Sequence, residues 1–127
     1  MRIKYQKKHK YNANLPTERD EQIKLVKYLR WNKIPHYAVP NGGSRNPIEA
    51  KNMKAEGVNA GVPDICIPVP NKKYHGLYIE MKRQKGGRVS EKQKEWIDRL
   101  NQNGYLAVVC RGFDEAREVI EEYIKEI

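Results

Sequence analysis

The segment Leu77-Tyr-Ile-Glu-Met-Lys82 alternates apolar and polar residues, and this alternation is typical of a β-strand with one buried face. Successive side chains of a strand point to opposite faces of the sheet. The odd-numbered residues of the segment are all apolar and would pack into the core. Glu80 and Lys82 would lie side by side on the opposite face, where an adjacent acid and base mark a candidate site.

The segment just before this strand predicts its partner. Asp64–Val69 reads as a second strand, and the linker Pro70–His75 is short enough for an antiparallel hairpin. If the turn centres on Lys72, Asp64 lies directly opposite Glu80. Two facing carboxylates repel each other. A Mg²⁺ ion, which binds through one or two carboxylates together with waters and phosphate oxygens, would reverse that repulsion.

Two facing acids beside a lysine fit the hydrolysis of a phosphodiester bond. Asp64 and Glu80 would hold a metal that polarises the phosphate and lowers the pKa of a water molecule. Lys82 would position or deprotonate that water, or hold the phosphate as a point charge, and the sequence leaves these roles open. An acid and a lysine two residues apart are also common as an ordinary surface pair on a strand, so this pattern alone does not identify an enzyme.

The residues upstream of the hairpin predict a first helix. Thr17 and Asp20 form a capping box, so the helix should begin there and stop before Pro35. Three further segments then follow: a short strand at 36–40, a turn at 41–44 and a short helix from Asn46 to Gly57.

The residues downstream of the hairpin predict two more helices with a strand between them. Ser90 and Gln93 form a second capping box, and Gly104 should end that helix. Tyr105–Cys110 is apolar almost throughout, so we expect it at the centre of the sheet. The last helix follows Gly112. The order of elements predicts an α/β fold with a mixed sheet flanked by helices.

Length and charge limit the class of protein. The chain has 127 residues and a net charge of +9, which suits one domain that attracts a polyanion such as nucleic acid. We expect a basic arm at residues 1–14 and a single domain at 15–127. Cys66 and Cys110 lie in apolar runs and should be buried free thiols. No apolar stretch is long enough to cross a membrane, so we expect a soluble, intracellular protein.

Four short motifs follow one another along the chain. They are Gly61-Val-Pro-Asp64, Tyr78-Ile-Glu80-Met-Lys82, Ser90-Glu-Lys-Gln93-Lys-Glu-Trp96 and Gly104-Tyr-Leu-Ala-Val-Val. In this order they resemble the VRR-NUC domain family of virus-type replication-repair nucleases, which belongs to the PD-(D/E)xK nuclease group. The resemblance covers residues 17 to 125. It implies a restriction-endonuclease-like fold, and a stand-alone member of phage type.

The resemblance also implies a cofactor, a substrate and further site residues. The enzyme would be an endonuclease that depends on Mg²⁺ or Mn²⁺, and its small relatives resemble dimers that cleave Holliday junctions. Glu18 would join Asp64 and Glu80 at the metal, with Glu21 as the rival position on the same helix. The main-chain carbonyl of Met81 would be an extra metal ligand. Gln93 would lie close to the active site, in addition to its role in the capping box.

Four cations are candidates for contacts to nucleic-acid phosphates: Arg45, Arg83, Lys85 and Arg88. The last three belong to the segment that follows Lys82 directly, although solvated surface charge is the commoner explanation for any single one of the four. Two alternatives to a DNA endonuclease that acts on branched substrates stay open. One is a catalytically silent DNA-binding module, and the other is a nuclease of the same fold that acts on linear DNA or on RNA.

Overall fold

A computed structural model describes residues 14–40 and 46–127. The elements within these residues follow the predicted order. The helices are α1 (Glu18–Trp31), α2 (Pro47–Ala55), α3 (Glu91–Gln102) and α4 (Phe113–Lys125). The strands are β1 (Tyr37–Ala38), β2 (Ile65–Ile67), β3 (Leu77–Lys82) and β4 (Leu106–Arg111). The predicted turn at 41–44 and all but the last residue of the predicted arm at 1–14 lie outside the described residues.

The strands form one mixed sheet in the order β1-β2-β3-β4. β2 is antiparallel to both β1 and β3, whereas β3 and β4 run parallel. Ile65 pairs with Ile79, and Ile67 pairs with Leu77. This register confirms the predicted hairpin, because continuing it by one residue places Asp64 opposite Glu80. The mixed α/β fold predicted from the sequence is thus the observed one.

The prediction that the apolar strand after Gly104 is central was wrong. β4 lies at the edge of the sheet, beyond β3. Both α3 and α4 pack against it, and β3 is its only neighbouring strand within residues 14–40 and 46–127. Asn101 also protects the outer edge, because its side-chain amide donates to the Ala107 carbonyl (3.1 Å) and accepts from the Ala107 amide (3.0 Å).

The core lies where α1 and α4 pack on the apolar face of β3. Leu25 and Leu29 of α1 meet Ile79 and Met81 of β3 in one buried cluster, together with Ile120 of α4. The two predicted capping boxes are both present, so each helix begins where the sequence indicated.

Two further predictions concern the state of the cysteines and the presence of membrane-spanning segments. Cys66 and Cys110 are buried and free, as predicted. Among the helices of the described ranges, none combines the length and the apolarity needed to cross a membrane.

Candidate metal centre

Three carboxylates from distant parts of the chain meet at one point. Glu18 is the first residue of α1, Asp64 immediately precedes β2, and Glu80 lies in β3. One oxygen from each of these side chains lies within 4.8 Å of the other two. Carboxylate oxygens are hard ligands of the kind that Mg²⁺ and Mn²⁺ prefer. The donor set and its spacing therefore fit a divalent cation.

Backbone contacts on both sides fix Asp64. Its Oδ2 atom accepts a hydrogen bond from the Met81 amide at 2.8 Å. Its main-chain carbonyl accepts one from the Val39 amide, also at 2.8 Å. The side chain is therefore oriented toward β3 before any ligand arrives.

Glu80 is held by two side chains. Lys82 Nζ lies 3.6 Å from Glu80 Oε2, and Gln93 Nε2 donates a hydrogen bond to the same oxygen at 3.1 Å. Gln93 uses its other amide atom, Oε1, to accept from the Ser90 amide at 2.9 Å in the capping box. The structure therefore gives Gln93 both of the positions predicted for it, one at the helix cap and one beside the carboxylates.

Burial raises the free-energy cost of ionising Asp64 and Glu80, and the charge of Lys82 opposes this effect only in part. Glu80 is only 2% exposed and Lys82 only 6%. Burial, reinforced by the Asp64 carboxylate, raises the pKa of Glu80 to about 8. Burial also raises the pKa of Asp64, although the hydrogen bond from the Met81 amide opposes that rise. A divalent cation between the carboxylates would favour their ionised forms.

Glu21, the rival to Glu18, has a different position. Its carboxylate accepts from the Phe113 amide at 3.2 Å and from Gln84 Nε2 at 2.8 Å. Phe113 is the first residue of α4, and the N-cap residue Gly112 has no side chain to cap that helix. Glu21 therefore caps α4 from a neighbouring helix, where a negative charge also complements the helix dipole.

A glycine sets the approach of the Asp64 loop to α3. Gly61 has φ +94°, and a Cβ atom there would lie 2.7 Å from the main-chain carbon of Lys92. Only glycine combines this left-handed backbone with so close a contact. The contact brings the Gly61–Asp64 segment against the first turn of α3, which also carries Gln93.

The remaining predicted residues are Met81 and four cations. The side chain of Met81 packs in the core, and its main-chain amide donates a hydrogen bond to Asp64 Oδ2. Metal binding by its main-chain carbonyl stays a prediction. Arg83, Lys85 and Arg88 are exposed and surround the turn that follows β3. Arg45 lies outside the described residues.

Sequence reasoning missed the residue that shapes this turn. Arg111, at the end of β4, donates from Nη1 to the Gly86 carbonyl at 2.6 Å and from Nη2 to the Gly87 carbonyl at 3.2 Å. Both glycines have positive φ, +78° and +71°. The available sequence signal was a cation at the end of an apolar strand. The carbonyls that Arg111 contacts lie 25 and 24 residues away in the sequence, so the pattern did not reveal them.

Comparisons with known proteins agree with this fold. The sequence pattern of the VRR-NUC domain family matches residues 4–114. A solved structure described as a VRR_NUC domain protein is 31% identical, with a TM-score of 0.74, and the match covers 90% of this chain and 93% of that chain. No curated protein matches. The chain belongs to the VRR-NUC domain family, which is a family of nucleases.

Proposed function

We propose that the protein is a metal-dependent endonuclease that hydrolyses phosphodiester bonds in DNA, with Mg²⁺ as the cofactor and Mn²⁺ as a substitute. The observation that carries this proposal is the carboxylate cluster of Glu18, Asp64 and Glu80, with ligand oxygens within 4.8 Å of one another and a buried lysine beside them. A polyanionic substrate agrees with the net charge of +9.

The residues present suit a divalent cation. Glu18, Asp64 and Glu80 would hold it, with the carbonyl of Met81 as a further oxygen ligand. When bound, the metal supplies a polarised phosphate and a water molecule of lowered pKa. Burial raises the pKa of Asp64 and of Glu80. A bound cation would therefore favour the ionised forms of both carboxylates.

Lys82 and Gln93 have separate tasks in this proposal. The ammonium of Lys82 has three N–H donors and forms an ion pair with Glu80, whose Oε2 lies 3.6 Å away. Its donors would contact the scissile phosphate and orient the attacking water, since an ammonium acts as a point charge toward phosphate oxygens. Gln93 would hold the Glu80 carboxylate in one orientation through the hydrogen bond to Oε2.

The substrate would be held by cations around the centre. Arg83, Lys85 and Arg88 are exposed on the turn that follows Lys82, and they would contact phosphates together with Arg45. We extend the proposal to branched DNA such as a Holliday junction, cut by a homodimer, because a two-fold pair of subunits supplies matched sites for two strands. The intracellular location and the phage origin stay predictions.

Cleavage and metal binding test the proposal together. A labelled four-way junction and a linear duplex of the same sequence are incubated with Mg²⁺, with Mn²⁺ and with EDTA. Asp64→Asn and Lys82→Ala should abolish metal-dependent cleavage. The control is Lys125→Ala, which removes an exposed lysine of α4 and should cleave like the unaltered protein.

Calorimetric titration with Mn²⁺ separates the two roles. Asp64→Asn should lose Mn²⁺ binding, whereas Lys82→Ala should keep it and still fail to cleave. Cleavage that survives both substitutions would exclude this site. DNA binding without any cleavage would favour a silent binding module, and cleavage confined to RNA would overturn the choice of substrate. Light scattering on the free protein tests the dimer.

A further inference from the structure

A groove runs along the outer face of α1 from the carboxylates of the candidate metal centre. Its volume is about 560 Å³, and Glu18 and Asp64 line one part of it. Gln22, Val26 and Arg30 continue the lining along the helix, at the spacing of residues that share one helical face. Whatever occupies this groove is therefore in direct contact with the proposed cleavage site.

Exposed cations line the groove. Arg19, Lys27 and Arg30 all contribute to its wall. Within residues 14–40 and 46–127, none of these three side chains forms an ion pair. Their charge is available to a ligand, so the groove suits a chain of negative groups that reaches the metal centre.

The floor of the same groove is apolar. Ile23 is 46% exposed, and the half-buried Val26 and Val39 lie beside it. Trp31, which is 87% exposed, does not line the groove but lies one helical turn beyond Lys27, which does. The groove therefore offers apolar contacts beside its cations, and an exposed aromatic ring follows Arg30, the last residue of α1 that lines it.

We propose that this groove, here called the α1 groove, binds an unpaired strand of the nucleic-acid substrate next to the bond that is cut. A duplex presents phosphates and sugars outward and keeps its bases stacked inside. An unpaired strand exposes base and sugar surfaces as well, and these can pack on Ile23 and Trp31 while its phosphates meet Lys27 and its neighbours. The inference rests on the proposed nuclease function, and among branched DNAs it selects those with an unpaired segment over a fully paired four-way junction.

Binding without cleavage tests the α1 groove. Fluorescence anisotropy in EDTA compares a blunt duplex with the same duplex that carries an unpaired oligothymidine arm. The unaltered protein should bind the armed duplex more tightly. Ile23→Ser should weaken binding to the armed duplex by about tenfold, since it removes an apolar contact, and should leave the blunt duplex unchanged.

Salt dependence tests the cations. Lys27→Ala should lower the slope of log affinity against log salt by about 0.7 for the armed duplex, the value for one phosphate contact on a single strand. Two matched controls should bind like the unaltered protein. Lys24→Ala removes an exposed lysine of α1 that does not line the groove, and Ile127→Ser removes an exposed isoleucine at the end of the chain.

Trp31 supplies a direct signal. Addition of oligothymidine should quench tryptophan fluorescence, and Trp31→Phe should remove most of that quenching. Equal binding of both duplexes, or equal weakening of both by Lys27→Ala with no effect of Ile23→Ser, would overturn the proposal in favour of duplex phosphates.

The two proposals also fail separately. Preference for the unpaired arm without cleavage in Mg²⁺ would support the α1 groove against the nuclease. Cleavage in Mg²⁺ without a preference for the unpaired arm would support the nuclease and overturn the proposal for the α1 groove.

Discussion

Glu18 and Glu21 are one helical turn apart on α1, and the structure predicts opposite consequences when each is replaced. Glu18→Ala removes a carboxylate from the candidate metal centre, whereas Glu21→Ala removes the cap of α4. We expect Glu21→Ala to lower the free energy of unfolding strongly and to leave the three carboxylates of the candidate metal centre in place. Glu18→Ala should leave the free energy of unfolding almost unchanged and should weaken Mn²⁺ binding.

The magnitude follows from the contacts of Glu21. Its side chain is 1% exposed and accepts two hydrogen bonds, one of them from the first amide of α4. A hydrogen bond to a charged group contributes about 1.5 to 3 kcal/mol, and loss of an N-cap costs about 1 kcal/mol. These contributions overlap, so Glu21→Ala should cost about 3 kcal/mol.

Glu18 makes a different contribution. It is only half-buried, and its charge helps to raise the pKa of Glu80. Removing it relieves repulsion in the metal-free protein, so the free energy of unfolding should change by no more than about 0.5 kcal/mol. Mn²⁺ affinity should fall instead.

Urea unfolding in EDTA and calorimetric titration with Mn²⁺ measure the two effects. Glu118→Ala, which removes an exposed acid of α4, is the control and should change neither quantity. An unfolding midpoint for Glu21→Ala equal to that of the control would refute the capping argument. Loss of Mn²⁺ binding in folded Glu21→Ala, with binding retained in Glu18→Ala, would exchange the roles of the two acids.

Three further predictions concern pH, a glycine and an arginine. Because Glu80 has a raised pKa, the folded metal-free protein keeps a proton that the unfolded chain loses, so stability in EDTA should fall between about pH 4.5 and 8. Glu80→Gln should reduce that slope by at most about 1.4 kcal/mol per pH unit, and an unchanged slope in urea titrations would contradict it. Gly61→Ala should lower the melting temperature and Mn²⁺ affinity more than Gly57→Ala, which has φ +104° but no atom within 4 Å of an added Cβ. Arg111→Ala should speed proteolysis at Gly86-Gly87, and an unaltered digestion rate would show that the turn holds without it.

The sequence alone determined the helices and strands and one contact between residues distant in sequence, that of Asp64 with Glu80. The capping residues Thr17 and Ser90 mark helix starts because their side chains accept hydrogen bonds from backbone amides only three residues away. The alternation in β3 and the short linker before it were enough to predict that Asp64 faces Glu80. Such features depend on neighbours along the chain, so they can be read without a fold.

Only the tertiary structure decided the position of β4 and the roles of the two α1 acids. Apolar content cannot distinguish a central strand from an edge strand against which two helices pack, because helix packing also shields apolar side chains from water. Glu18 and Glu21 both suit the first turn of a helix, where any acid complements the dipole. Glu21 reaches α4 across 92 residues and Glu18 reaches the carboxylates, and contacts at such separations depend on how the helices pack on the sheet.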